Sequence, residues 1–171
     1  MSSKYLDAVK KRLLQNGFII KEKIQHQMQW FDLVASLTVR ERYNVKGHHI
    51  TLFTNLYFMF GIFDAVDSKL LRRFVKISKL YGLDNLMGPL RLTTHFLFPV
   101  AICSNGNRRR MKQIEVKDPM FYPHNTALVP MLVTPQTKTA DVRLLSWPAN
   151  ERSSNGAWLV VVDAINLITP K

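Results

Sequence analysis

The chain is short of four things, and each shortage narrows what it can be. It has a single cysteine, Cys103, in 171 residues, which excludes an intrachain disulfide and a thiolate zinc cluster. A reducing interior is the expected home for such a chain. It has seven glycines, none in a phosphate-cradling loop, and no serine stands in a nucleophile-elbow context. The longest apolar run, LYFMFGIF at 56–63, is far too short to cross a bilayer. The opening MSSKYLDAVKKRLLQ is amphipathic and lacks the apolar core of a signal peptide. A soluble cytoplasmic protein with no membrane span is the expectation. Acids are scarce too, with 12 Asp and Glu against 24 Lys and Arg and a formal net charge of +12. That excess attracts polyanions, such as nucleic acid or an acidic protein, and carries no information about fold.

What is present is a core. Hydrophobic residues make up 47% and charged residues 21%, the balance of a folded domain and not of a disordered chain. The length suits one domain over 1–171. Tyr5, Val9 and Leu13, with Leu6, predict a helix over 4–15, stopped by Asn16-Gly17. The period then changes to two. Phe18, Ile20, Ile24, Met28 and Trp30 alternate with polar residues, then Phe31, Leu33, Ala35, Leu37 and Val39 do so with the opposite parity. A turn or bulge near Gln27–Trp30 must lie between the two strands. After the turn Asn44–Gly47, residues 49–59 are apolar on both faces, as in a central buried strand.

Asp64 is the expected cap of a second helix, with Asp67 favouring its positive end and Gly82 ending it. Val66, Leu70, Phe74, Ile77 and Tyr81 form its inward stripe. Residues 92–103 read as a strand in which Pro99 implies an edge or a bulge. Further strands are expected at 111–117, ALVPMLVT, DVRLLSW and AWLVVVDAINLI. The fold class is α/β, with α+β as the alternative: a single mixed β-sheet flanked by helices.

The basic residues carry the leading functional reading. From Lys69 to Lys117 there are eleven Lys or Arg and two acids. Lys69, Arg72, Arg73, Lys76 and Lys79 fall on adjoining rows of one helical face. Arg108, Arg109, Arg110 and Lys112 follow the turn SNGN. Contacts from such groups to phosphates release counterions and make binding salt-sensitive. No aromatic stacking platform accompanies them. The reading is a non-catalytic basic domain that binds nucleic acid or an acidic partner, with no cofactor.

A second reading starts from Ile114-Glu115-Val116-Lys117. On a strand Glu115 and Lys117 share a face, as do the metal-binding acid and the lysine of a nuclease. Ordinary alternation gives the same arrangement, and one carboxylate holds Mg²⁺ weakly. The succession of helix, hairpin ending WFDLVA, third strand, helix and strand with FPVAI resembles the restriction-endonuclease-like, or PD-(D/E)XK, family over residues 4–103. The resemblance implies that family's mixed-sheet core and sets its second-strand acid on Asp32. The third strand departs from the pattern, since HHITLFTNLYF has neither acid nor lysine. Under this alternative the chain is a Mg²⁺-dependent nuclease with Asp32, Glu115 and Lys117 as its catalytic set.

A third reading is a structural or assembly subunit that uses the apolar loops around Met120–Tyr122 and Trp147. Of the five histidines only His48 and His49 adjoin, and adjacent strand residues point to opposite faces, which makes them poor joint ligands. Cys103 reads as a small buried thiol, and Asp163 as a strand-end acid.

Overall fold

A computed structural model of the chain describes residues 2–85, 93–104, 126–143 and 151–171, with the side chains of 43, 45 and 151–158 left aside. The described residues form α1 (Ser2–Gln15), β1 (Ile19–His26), β2 (Gln29–Val45), β3 (His48–Phe63), α2 (Ser68–Asp84) and β4 (Thr93–Cys103). They continue with β5 (Thr126–Leu128), β6 (Met131–Thr134), β7 (Thr139–Val142) and a last helix, α3 (Glu151–Ile168). The class is α/β: one mixed seven-stranded sheet in the order β1-β2-β3-β4-β6-β7, with β5 also paired to β4. The expected strand at 111–117 lies outside the described residues. No described helix is long and apolar enough to cross a membrane.

α1 ends as its sequence demands. Gly17 takes φ +81°, and the amides of Gly17 and Phe18 donate to the carbonyls of Leu14 and Leu13. This is the paired-bond stop that a glycine just past a helix allows. It swings Phe18 into the core beside Leu13. The other partner of α1 is the end of α3, whose last carbonyls have no intrahelical donor. The Tyr5 hydroxyl donates to the Ile168 carbonyl, and Arg12 Nη1 donates to that of Thr169. Burial pushes the Tyr5 hydroxyl pKa far up, with Arg12 pulling weakly the other way.

Helices cover both faces of the sheet, so β3 and β4 are apolar on both sides. Leu56, Phe58 and Phe60 of β3 and Phe96, Phe98 and Val100 of β4 face α1 and α3. Tyr57, Met59, Leu97 and Ala101 face α2. Phe58 stacks on Phe98 with ring centroids 4.4 Å apart and planes 20° off parallel. Phe18 is tilted against Phe58, with ring centroids 5.8 Å apart.

Several expectations need correction. The turn between β1 and β2 falls at Gln27 and Met28, within the expected stretch, but the faces also change earlier, at Lys23. Lys23 takes φ +51° and drops out of the ladder between Glu22↔Leu33 and Ile24↔Phe31 without shifting the register. On one side of it Ile20 and Leu33 pack under α1 and α3; on the other, Ile24 and Phe31 pack under α2. Met28 and Trp30 are consequently exposed, at 82% and 57%. β3 is central, but only Thr54–Gly61 are buried, and Phe53 is half-buried. The cap of α2 is Asp67 and not Asp64, because the Asp67 carboxylate accepts the Leu70 amide at 2.7 Å.

Gly82 does not end that helix, which runs on to Asp84. A Cβ at position 82 would lie 2.6 Å from Leu97 Cδ2, so the glycine serves the close approach of α2 to β4. Pro99 stands in a central strand, at neither an edge nor a bulge. It pairs with Met59 on one side, and on the other it falls between the stretches bound by β5 and β6. ALVPMLVT is accordingly two short strands broken at Pro130. AWLVVVDAINLI is helical: Val161, Ala164 and Ile168, three and four residues apart, face the core.

Three substitutions test this packing by denaturant titration. Phe58→Ala is expected to cost about 3–5 kcal/mol, and Phe53→Ala clearly less, because only Phe58 is fully enclosed. Gly82→Ala should destabilise by about 1–3 kcal/mol in spite of alanine's better helix propensity, since Leu97 is buried and cannot yield freely. Tyr5 has a folded pKa above its unfolded value of 10.0. Its contribution to stability is therefore complete below that value and lost as pH rises through the folded one. Tyr5→Phe should flatten the decline in stability that wild type shows on alkaline titration above about pH 10.

Candidate nucleic-acid interface

α2 forms because Asp67, in extended backbone, satisfies an orphan amide of the first turn, and because one side is apolar. Leu71, Phe74, Val75, Ile77 and Tyr81 are buried against the sheet. Phe74 meets the Phe63 ring edge-on at 5.2 Å, and Tyr81 tilts over Phe31 at 5.2 Å. The opposite side carries the basic residues expected there. Lys69, Arg72, Arg73 and Lys76 are exposed, and Lys79 is half-buried at the margin. The structure thus brings five of the nine proposed binding residues together. Arg108, Arg109, Arg110 and Lys112 lie outside the described residues, as do Met120–Tyr122, His124 and Trp147.

The electrostatics of this face work against the helix. It has no acid in its first turn and no base in its last, so beyond the Asp67 cap it makes no use of the macrodipole. Lys69 stands at the positive end and Asp84 at the negative one. The pairs Lys69–Arg73 and Arg72–Lys76 are like-charged at i,i+4, and Lys69–Arg72, Arg73–Lys76 and Lys76–Lys79 are like-charged at i,i+3. Each such pair costs a few tenths of a kcal/mol. Among the described residues no acid forms an ion pair with Lys69, Arg72, Arg73 or Lys76, whereas elsewhere Lys10 pairs with Glu22 and His26 with Asp84, the latter at 3.6 Å.

Asp32, the acid of the alternative nuclease set, is exposed near the end of β2. Its Oδ2 accepts the backbone amide of Ile62 at 2.7 Å, which satisfies a donor that the β2–β3 ladder leaves over. The β3 residues beside it are Gly61 and Ile62, and neither is an acid. Glu115 and Lys117 lie outside the described residues. Among the described residues no group of three His, Cys, Asp or Glu could hold a metal ion.

A polar row running from exposed Thr38 to the buried Asn55, His95 and Thr126 went unread as a unit in the sequence. The Thr38 hydroxyl donates to Asn55 Oδ1 at 2.7 Å, and Asn55 Nδ2 lies 3.2 Å from His95 Nδ1. Thr126 is the register partner of His95 on the next strand. Only the pairing of β2, β3, β4 and β5 makes the four adjacent. The alternation that flags a buried face says nothing about register. Cys103 is buried, as expected. Asp163 is exposed on α3, not a strand-end acid, at an open groove of about 460 Å³ that Phe18, Leu37 and Leu56 help to line.

No family model, curated protein or solved structure matches the chain.

The hydrogen bond to Ile62 gives Asp32 a testable structural role. Asp32→Asn retains an acceptor and should stay within about 0.5 kcal/mol of wild type, whereas Asp32→Ala should lose about 1–2 kcal/mol. Thermal melts with and without Mg²⁺ provide the check. A Mg²⁺-dependent stabilisation that disappears in Asp32→Asn would point to a metal site instead.

Proposed function

We propose that the chain binds nucleic acid through the outward face of α2, with Lys69, Arg72, Arg73, Lys76 and Lys79 meeting successive phosphates. Arg108–Arg110 and Lys112, which lie outside the described residues, are further candidates from the sequence alone. One observation carries the reading: the stripe repels itself, and no described acid pairs with its four exposed members. A face that merely kept the helix solvated would interleave acids and improve its stability. A polyanion removes the repulsion. From Lys69 to Lys79 the helical rise is about 15 Å, the span of a few phosphates. Asp32 has no catalytic part in this reading. The resemblance to the restriction-endonuclease-like family is then one of fold, supported by the order of elements from α1 to β4, without that family's activity.

Arg72→Glu, Arg73→Glu and Lys76→Glu together should abolish retention on heparin and binding to a mixed-sequence duplex. Wild-type affinity should fall steeply with salt, the logarithmic slope reflecting several displaced counterions. Anisotropy titrations at several salt concentrations measure both. Equal retention of variant and wild type would leave the stripe as a solvated face. Mg²⁺-dependent cleavage lost in Glu115→Gln would favour the nuclease instead.

A further inference from the structure

β2 and β3 outrun the sheet that holds them. The pairing of β1 with β2 extends no farther than Ile19↔Ser36, and that of β4 with β3 begins at Phe53↔Thr93. From Glu41↔Leu52 to Val45↔His48, five register pairs, the two strands pair only with each other among the described residues. At the usual strand rise that is a ribbon about 15–17 Å long. Its tip is built for rigidity. Lys46 and Gly47 take φ +52° and +82°, the two positive values of the hairpin turn whose twist matches its strands. Asn44 Oδ1 also accepts the Gly47 amide at 3.1 Å.

The ribbon has unlike faces, because cross-strand partners point the same way. Arg40 shares a face with Phe53, Arg42 with Thr51, and Asn44 with His49. Arg40, Arg42 and His49 are exposed on it, Lys46 is exposed at the tip, and the Arg40 guanidinium lies 5.7 Å from the centroid of the Phe53 ring. The acid of the segment, Glu41, belongs to the other face with Leu52. The arginine face continues the side of the sheet that α2 covers, since the next pair, Thr38 and Asn55, sits in line with Tyr57 of the α2 core.

We propose that this ribbon docks in the major groove of double-stranded DNA, with Arg40 and Arg42 toward the phosphates and base edges and Lys46 leading. Shape and charge both commit it to that partner. The B-form major groove, about 12 Å wide and 8.5 Å deep, admits a two-stranded ribbon. The deep, narrow major groove of duplex RNA does not. A ribbon of two strands with no strand beside it among the described residues is marginal in water by itself, and seating in a groove supplies support. The partner's class rests on the reading of α2, but the surface is separate, and the two are tested apart.

The test is anisotropy with the full chain on one mixed sequence, as duplex DNA and as duplex RNA. Two ribbon variants are compared with the α2 triple reversal: Arg40→Glu with Arg42→Glu, and residues 41–52 replaced by Asn-Gly. Both ribbon variants should keep the wild-type melt and weaken DNA binding roughly tenfold or more, and the double reversal should lower the salt slope by about two. Duplex RNA should bind more weakly than DNA and respond less to the ribbon changes. Ribbon variants that bind DNA like wild type while the α2 variant fails would overturn this inference and leave the α2 reading standing. Equal losses on DNA and RNA would overturn the groove assignment. Absence of binding by wild type itself would overturn both readings.

Discussion

The parallel pairing of β3 with β4, from Phe53↔Thr93 to Phe63↔Cys103, decides most of what surrounds it. Two consecutive parallel strands cannot be joined by a tight turn; the chain must cross back over one face of the sheet. That crossing contains α2. Once α2 covers one face, the buried parts of β3 and β4 need apolar side chains on both sides, and the far side requires a cover of its own. α1 and α3 provide it. They are held together at the end of α3, where Tyr5 and Arg12 satisfy the Ile168 and Thr169 carbonyls. Pro99 fits the same logic, sitting in the central strand at the point where its neighbour changes from β5 to β6.

The exposed chemistry follows from this arrangement. A crossover helix turns one side to the sheet and the other to solvent, so every residue spent on the outer side of α2 is free of packing demands. That side is uniformly basic from Lys69 to Lys76, against the interests of the helix itself. The β2–β3 ribbon is the second place where the chain leaves its core, and there too arginines gather on one face. Both features lie on the same side of the sheet. Asp32 differs in kind: its carboxylate is engaged with the Ile62 amide, a local task at the end of a ladder.

How much could be read in advance depended on whether the deciding physics was local. α1, its glycine stop, the apolar stripe of α2 and the class of the fold were legible, because spacing and chain-reversal chemistry act within a few residues. The basic face of α2 was legible for the same reason, since helical geometry alone puts Lys69, Arg72, Arg73 and Lys76 together. The cap was misplaced by three residues because Asp64 and Asp67 are chemically equal candidates, and only the path of the chain out of β3 chooses between them. α3 was missed because the β-branched run at 160–162 has strand propensity, which burial of Val161, Ala164 and Ile168 against the sheet overrides.

Composition and periodicity by themselves determined a basic α/β chain with one cysteine, a central apolar strand and a helix with a cationic outer face. Tertiary structure decided the rest. It set the row Thr38–Asn55–His95 side by side, put Gly82 against Leu97, and moved the change of faces to Lys23. It also turned the tips of two strands into a ribbon that, among the described residues, neither β1 nor β4 reaches. Each of these depends on register and on where neighbouring strands begin and end. Those are contacts between residues distant in the chain, and a period of two, which repeats identically at every register, carries no record of them.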